Sequence, residues 1–399
     1  MHFKKKDISL FLSIELFMLP ISLLKYWFIS VLWYGILFLN ILTIIIKQNK
    51  KAFFDYKAKW LLCIYMFIQT ICTYLNSGPW LKNFCSMIVV FMLCRLFEER
   101  LIKNTYRCLN IFKYVLIFNI ITENILYLIG NYSILSTLQC GYVYYVVWAS
   151  VTLYLCVLKH ESKFEFFILS FLYIIVTIIK PQIDSNGANY EWTFYSIIFV
   201  FIITSMFKKK YRSLGKIVNG RTVFISIIAL NLIFVFFSVQ EKIPLFRFII
   251  VDIMHKDIGI TGRSGIWHFA ELLILKNPFI GYGTGLTTIT ETGKWYEFIK
   301  FYGPHNQFLY ILLAGGLVSL IPYLILLSYI FNVLYKNKKQ NWGFIFSIGL
   351  FSMYMELLMT YRSYATCMPL FAMFVIIEYF AKKNENQNKK NIYSFGILK

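Results

Sequence analysis

Residues 261–317 run TGRSGIWHFAELLILKNPFIGYGTGLTTITETGKWYEFIKFYGPHNQFLYILLAGGL, and their reading decides the fold. Up to Gly303 they form the end of the longest polar interval in the chain. From His305 they pass into an apolar run that continues to residue 335. A bilayer core of about 30 Å demands an apolar helix of about 20 residues, and this run supplies one.

Working outward, the same kind of run recurs about twelve times, near residues 8–24, 27–46, 60–76, 83–98, 111–130, 140–158, 164–179, 192–207, 222–239, 305–335, 342–360 and 366–381. Strands of a membrane barrel would be shorter and would alternate, which these do not. A composition 59% hydrophobic and 20% aromatic excludes an ordinary soluble domain. The expected fold is an all-α polytopic membrane protein of about twelve transmembrane helices. Residues 1–239 would form an N-terminal bundle, 240–304 a long loop, 305–381 the C-terminal spans, and 382–399 a tail. The tail is rich in Asn and Lys and is expected to be disordered.

A net charge of +21 in a soluble chain would suggest nucleic acid. Here the charge sits in clusters between spans: Lys4 to Lys6, Lys47 to Lys59, Arg95 to Lys113, Lys208 to Arg221, Lys336 to Lys339 and Lys382 to Lys390. That is the positive-inside pattern, and it excludes a nucleic-acid partner. Both termini are then expected inside and the long loop outside. The basic-then-apolar N-terminus lacks a small-residue cleavage site, so the first span is expected to stay attached. Eight cysteines show neither a disulfide framework nor zinc spacing.

Within the loop, Leu245, Phe246, Phe248, Ile249 and Ile250 suggest a segment on the membrane surface. Ser264 to Lys276 reads as a short helix with Ser264 as its cap and Trp267, Ala270, Leu273 and Ile274 on one face. Asn277-Pro278 ends it. Gly281, Gly283 and Gly285 follow as a flexible turn without dinucleotide-binding spacing.

Two residues stand out chemically. Arg263 presents a permanently charged planar fork at a helix start, which suits phosphate oxygens. The alternative is an arginine solvated in a loop or bound to lipid phosphate. His305, after Pro304, is expected in the first turn of a span, where the helix dipole disfavours its protonated form. A neutral imidazole there serves as general base or phosphate donor, or simply makes a structural hydrogen bond. Asn306 beside it orients the His or binds sugar. Glu271 reads as an acceptor-sugar ligand or a solvated carboxylate. His255, His268, Asp252 and Asp257 share the loop without a recognisable metal spacing. Glu15, Glu123 and Glu356 are intramembrane carboxylates, a costly and often functional class, with Arg362 close to Glu356. Lys180 is a further cation at a span end.

At these residues the chain resembles the O-antigen ligase and polysaccharide polymerase family. That family shows Gly-Arg-Ser-x-x-Trp, then Asn-Pro-x-x-Gly-x-Gly, then His-Asn at the start of the next span. Here they read Gly262-Arg263-Ser264-Gly265-Ile266-Trp267, Asn277-Pro278-Phe279-Ile280-Gly281-Tyr282-Gly283 and His305-Asn306, followed by Gly315-Gly316-Leu317. The resemblance implies a GT-C-like membrane glycosyltransferase in the bacterial inner membrane, working outside the cytoplasm without metal or cofactor. Its implied substrates are an undecaprenyl-diphosphate-linked oligosaccharide and a growing polysaccharide, amid membrane lipid. A flippase and a chain-length regulator are implied partners. Arg263 would take the diphosphate and His305 would activate the acceptor or hold the diphosphate, with Gly262, Ser264, Trp267 and Asn306 lining the site. The family often carries a second Arg in an earlier outer loop, where this chain has Asn186. Lys180, Arg247 or Arg362 is then the candidate replacement.

Richness in Lys, Ile, Asn, Phe and Tyr suggests an AT-rich genome and tilts the reading toward capsule polymerisation rather than ligation to lipid A. A flippase would instead show deep charges, broken helices and internal symmetry, and the sequence shows few deep charges and no repeat.

Overall fold

The computed structural model describes residues 5–18, 27–46, 56–128, 140–158, 164–168, 170–172, 211–237, 242–253, 263–286, 288–359 and 367–396. Its helices in chain order are α1 (Lys5–Met18), α2 (Trp27–Ile46), α3 (Lys57–Leu75), α4 (Trp80–Lys103), α5 (Thr105–Leu128), α6 (Cys140–Val157) and α7 (Tyr211–Ile217). There follow α8 (Gly220–Leu230), running on as a π-helical turn over Asn231–Phe236, and α9 (Pro244–Arg247), extended likewise over Phe248–Ile253. The chain ends with α10 (Arg263–Lys276), α11 (Lys294–Tyr302), α12 (Gln307–Lys336), α13 (Asn341–Met359) and α14 (Met368–Gly396). No strand occurs among the described residues. Of these helices α3, α4 and α12 are long and apolar enough to cross a membrane. Half of the expected span near 164–179 and all of that near 192–207 fall outside the described residues.

The apolar runs bury one face and expose another. On α3, Leu62, Tyr65, Met66 and Cys72 are buried while Ile64, Phe67 and Ile71 are exposed. On α12, Leu326, Leu327 and Ile330 are buried while Leu317, Val318, Ile321 and Ile325 are exposed. Apolar side chains turned outward on such helices suit contact with lipid tails rather than water. α12 packs on α3 and α8, α5 on α6, and α14 on α4.

Two expectations are corrected here. Lys59 and Arg95 lie not in basic loops but inside helices, 1% and 3% exposed. Lys59 Nζ donates to Glu98 Oε2 at 2.6 Å and Arg95 Nη1 to the same oxygen at 2.9 Å. Each cation is buried because that carboxylate is buried with it. The tail from Lys382 is not irregular, for α14 continues to Gly396. Nothing between Lys382 and Ser394 breaks a helix, and Asn384 Nδ2 donates to Asn337 Oδ1 at 3.3 Å.

A second, smaller apolar core lies at the loop end of the bundle. Ile266, Trp267, Ala270 and Leu273 of α10 pack there with Leu286, Ile289 and Ile299 of the loop. Leu309, Tyr310 and Leu313 of α12, and Leu358 of α13, complete it. It fixes the loop helices to the ends of two long ones.

Candidate functional site

α12 is broken at Gly316, whose backbone sits at φ 59° and ψ −161°. In a continuous helix Leu317 N–H would donate to Leu313 and Val318 N–H to Ala314. Instead Leu317 N–H donates to Pro278 O at 2.9 Å and Val318 N–H to Phe279 O at 3.2 Å. Leu313 O accepts from Tyr282 N–H at 2.6 Å. The Asn277–Gly283 segment thus fills the break with its own backbone. An apolar setting requires this, because unpaired backbone groups cannot turn to water.

The fit is close enough to require glycine on both sides. A Cβ on Gly316 would lie 2.1 Å from Phe279 O, and one on Gly281, at φ 63°, would lie 2.4 Å from Leu313 O. Gly281 and Gly316 therefore hold a fixed docked turn, not the flexible one expected from sequence. Asn277 Nδ2 closes that turn by donating to Gly281 O. Farther along, Thr284 is held by two polar residues of the bundle. Its N–H donates to Thr73 Oγ1 at 3.0 Å, and Asn83 Nδ2 donates to Thr73 Oγ1 at 3.0 Å and to the Thr284 hydroxyl.

This docking sets α10 against the start of α12. α10 begins at Arg263, one residue earlier than expected, so Ser264 lies inside the helix rather than capping it. Arg263 is 8% exposed. Trp267 is fully buried in the second core, where it supports the helix.

His305 differs from expectation too. α12 starts at Gln307 with Asn306 as its N-cap, so His305 precedes the helix. The cause is Asn306, whose Oδ1 accepts from Leu309 N–H at 2.9 Å. Asn306 Nδ2 also donates to Asn231 Oδ1 at 2.9 Å and Leu358 O at 3.1 Å. One fully buried amide therefore ties α12 to α8 and α13, and positions the His beside it.

His305 has a positive φ of 48°, a strained conformation for a residue with a side chain. Burial pushes its imidazole pKa down to about 4, and the Arg263 charge pushes it the same way. The structure thus brings Arg263 and His305 within electrostatic reach and keeps the imidazole neutral at neutral pH. Phe298 of α11 covers it, ring centroids 5.4 Å apart.

Glu271, on α10, is half-buried, and burial raises its carboxyl pKa to about 7. Its Oε1 has no hydrogen-bond partner among the described residues. Arg247 is exposed on α9, as is His268 on α10. Glu15 is buried and accepts from Asn119 Nδ2 at 2.8 Å, and Glu356 is buried on α13. Gly262, Lys180, Asn186, His255, Asp257 and Arg362 lie outside the described residues, as does the side chain of Glu123. Among the described residues no three His, Cys, Asp or Glu side chains converge as metal ligands would.

Sequence reading missed Thr73, Asn83 and Thr284, because hydroxyls and amides in separate runs carry no local sign of meeting. It also passed over α11, which its helical spacing of Trp295, Phe298 and Ile299 would have revealed.

Residues 189–324 match a family model described as O-antigen ligase, a span containing Arg263, His305 and both halves of the docked turn. No curated protein and no solved structure matches the chain. The match supports the resemblance read from the motifs, and the apolar helices agree with an integral membrane protein.

Proposed function

We propose, on the premise that residues 189–324 carry the O-antigen ligase family's region, that this chain is an oligosaccharide repeat-unit polymerase. It transfers glycan from undecaprenyl diphosphate to a sugar hydroxyl on the outer side of the bacterial inner membrane, with both termini inside. The observation that carries this reading is a buried arginine whose charge acts on a neutral histidine inside the matched region.

The acceptor oxygen bonds to the anomeric carbon as the bond from that carbon to the diphosphate oxygen breaks. The electron pair leaves on the diphosphate. Arg263 stabilises the charge as it develops, a role that preorganised cations fill without a metal. The acceptor proton passes to His305 or to the diphosphate. Diphosphate bound at Arg263 offsets the charge that depresses His305, so the imidazole becomes more basic when the donor is in place. Glu271 hydrogen-bonds the acceptor, and Arg247, Lys180 or Arg362 supplies a second cation. Asn306 positions His305 rather than touching substrate. A flippase would feed the enzyme, and a chain-length regulator would set the length of its product.

The family description favours a second reading, a ligase moving finished glycan to another acceptor. One experiment separates them: complementation of a polymerase-deletion strain with wild type, Arg263→Ala and His305→Ala at matched expression. A polymerase gives high-mass polymer from wild type and single lipid-linked units in both variants. Full-length polymer left on its lipid carrier would identify a ligase, and units stranded on the cytoplasmic face a flippase. Normal polymer from both variants would overturn the site.

A further inference from the structure

At the other end of α4, a cavity of about 510 Å³ opens between α1, α4 and α5. It is lined by Ser9, Leu10, Arg100, Lys103, Arg107 and Cys108. Arg100 follows Asn83, which grips Thr284, by nearly five helical turns, or about 26 Å. The cavity therefore lies at the opposite end of the bundle from Arg263 and His305, and its role is independent of the reaction proposed there.

Three cations meet in this cavity against two carboxylates. Lys103 pairs with Glu99, and Arg107 Nε donates to Asp7 Oδ1. One positive charge is left over. Arg100 Nε and Arg107 Nη2 are both buried, and neither has a hydrogen-bond partner among the described residues. These two N–H groups are closed to solvent, so it is the exposed remainder of the Arg100 and Arg107 side chains, with one cation in excess of the carboxylates, that offers an anion charge and donors. The planar forks suit a phosphate best. Leu10 and Cys108, both buried, add apolar surface to its lining.

We propose that this cavity binds the phosphate of an anionic ligand, with Arg100 as the principal contact and Arg107 as the second. The surroundings favour a lipid headgroup as its source. Ile8 and Leu12 on α1 and Ile102 on α4, close in sequence to the lining residues Ser9 and Lys103, are exposed and offer apolar surface for acyl chains. Basic cavities between membrane helices are suited to such headgroups.

The test uses the full-length protein in neutral detergent and follows its melting temperature. Dioleoyl phosphatidylglycerol, dioleoyl phosphatidylcholine and inorganic phosphate are titrated separately into wild type, Arg100→Gln and Arg100→Lys. Phosphatidylglycerol should give a saturable rise whose midpoint shifts about fivefold to higher concentration in Arg100→Gln. Arg100→Lys should fall between, since it keeps the charge and loses the fork, and it serves alone if Arg100→Gln does not fold. A saturable rise from inorganic phosphate with the same dependence on Arg100 would support the site and assign it to a soluble ligand. Equal response to phosphatidylcholine, no saturable rise from either anion, or unchanged midpoints in the variants would overturn the proposal.

Discussion

Arg95 and Arg263 are both buried arginines, 3% and 8% exposed, and they serve opposite ends of the molecule differently. Arg95 shares Glu98 Oε2 with Lys59, and the three side chains join α3 to α4. Arg263 opens α10, and its charge bears on a histidine kept neutral by burial. A buried charge matched to a buried opposite charge holds helices in register. A buried charge that acts on a neutral titratable group can answer an incoming anion. The same residue type is a brace in one place and, on the function proposed above, an anion receptor in the other.

The largest effect should come from severing the receptor end from the bundle. Gly316→Ala forces a side chain against Phe279 O and should cost at least about 4 kcal/mol, since it meets both a clash and an unfavourable φ. Limited proteolysis should then cut within the 277–286 turn while the Lys59 end stays protected. Next, Glu98→Gln leaves two cations buried with a neutral partner and should destabilise by about 3–5 kcal/mol. Activity per folded molecule should be unchanged, as judged by melting and turnover on the same preparation. Arg263→Ala should reverse that pattern, lowering turnover about a hundred- to a thousandfold with little change in melting. Comparable stability loss in both variants would break the comparison.

The smallest effect is a pH dependence. His305 takes a proton near pH 4 when folded, against an ordinary value of 6.5. Between those values the unfolded chain binds a proton that the folded chain refuses, so stability should fall as pH drops through this window. Melting of His305→Gln should lose that part of the slope. Arg263→Gln should narrow the window, because one cause of the depression is gone.

Much of the helix pattern was legible from hydropathy. The run at 27–46 became α2 without change, and the runs at 60–76 and 342–360 became α3 and α13 within a few residues. Arg263 and His305 stood out as candidates because they sit in an ordered set of motifs around the long loop. Their electrostatic contact was not legible, since it depends on Gly281 meeting Gly316 across 34 intervening positions. Glycines signal bends and say nothing about which distant backbone will fill them. The burial of Lys59 and Arg95 was hidden for a related reason: a helix-borne cation near a span end looks the same in sequence whether it meets water or Glu98.

The break in α12 also bears on how the protein is made. Pro278, Phe279 and Tyr282, which complete the hydrogen bonding of this helix, leave the ribosome before Gly316 does. The patch is therefore synthesised ahead of the gap it mends. On this ordering a delay at the earlier turn would leave the peptide groups around Gly316 without the partners that complete the helix.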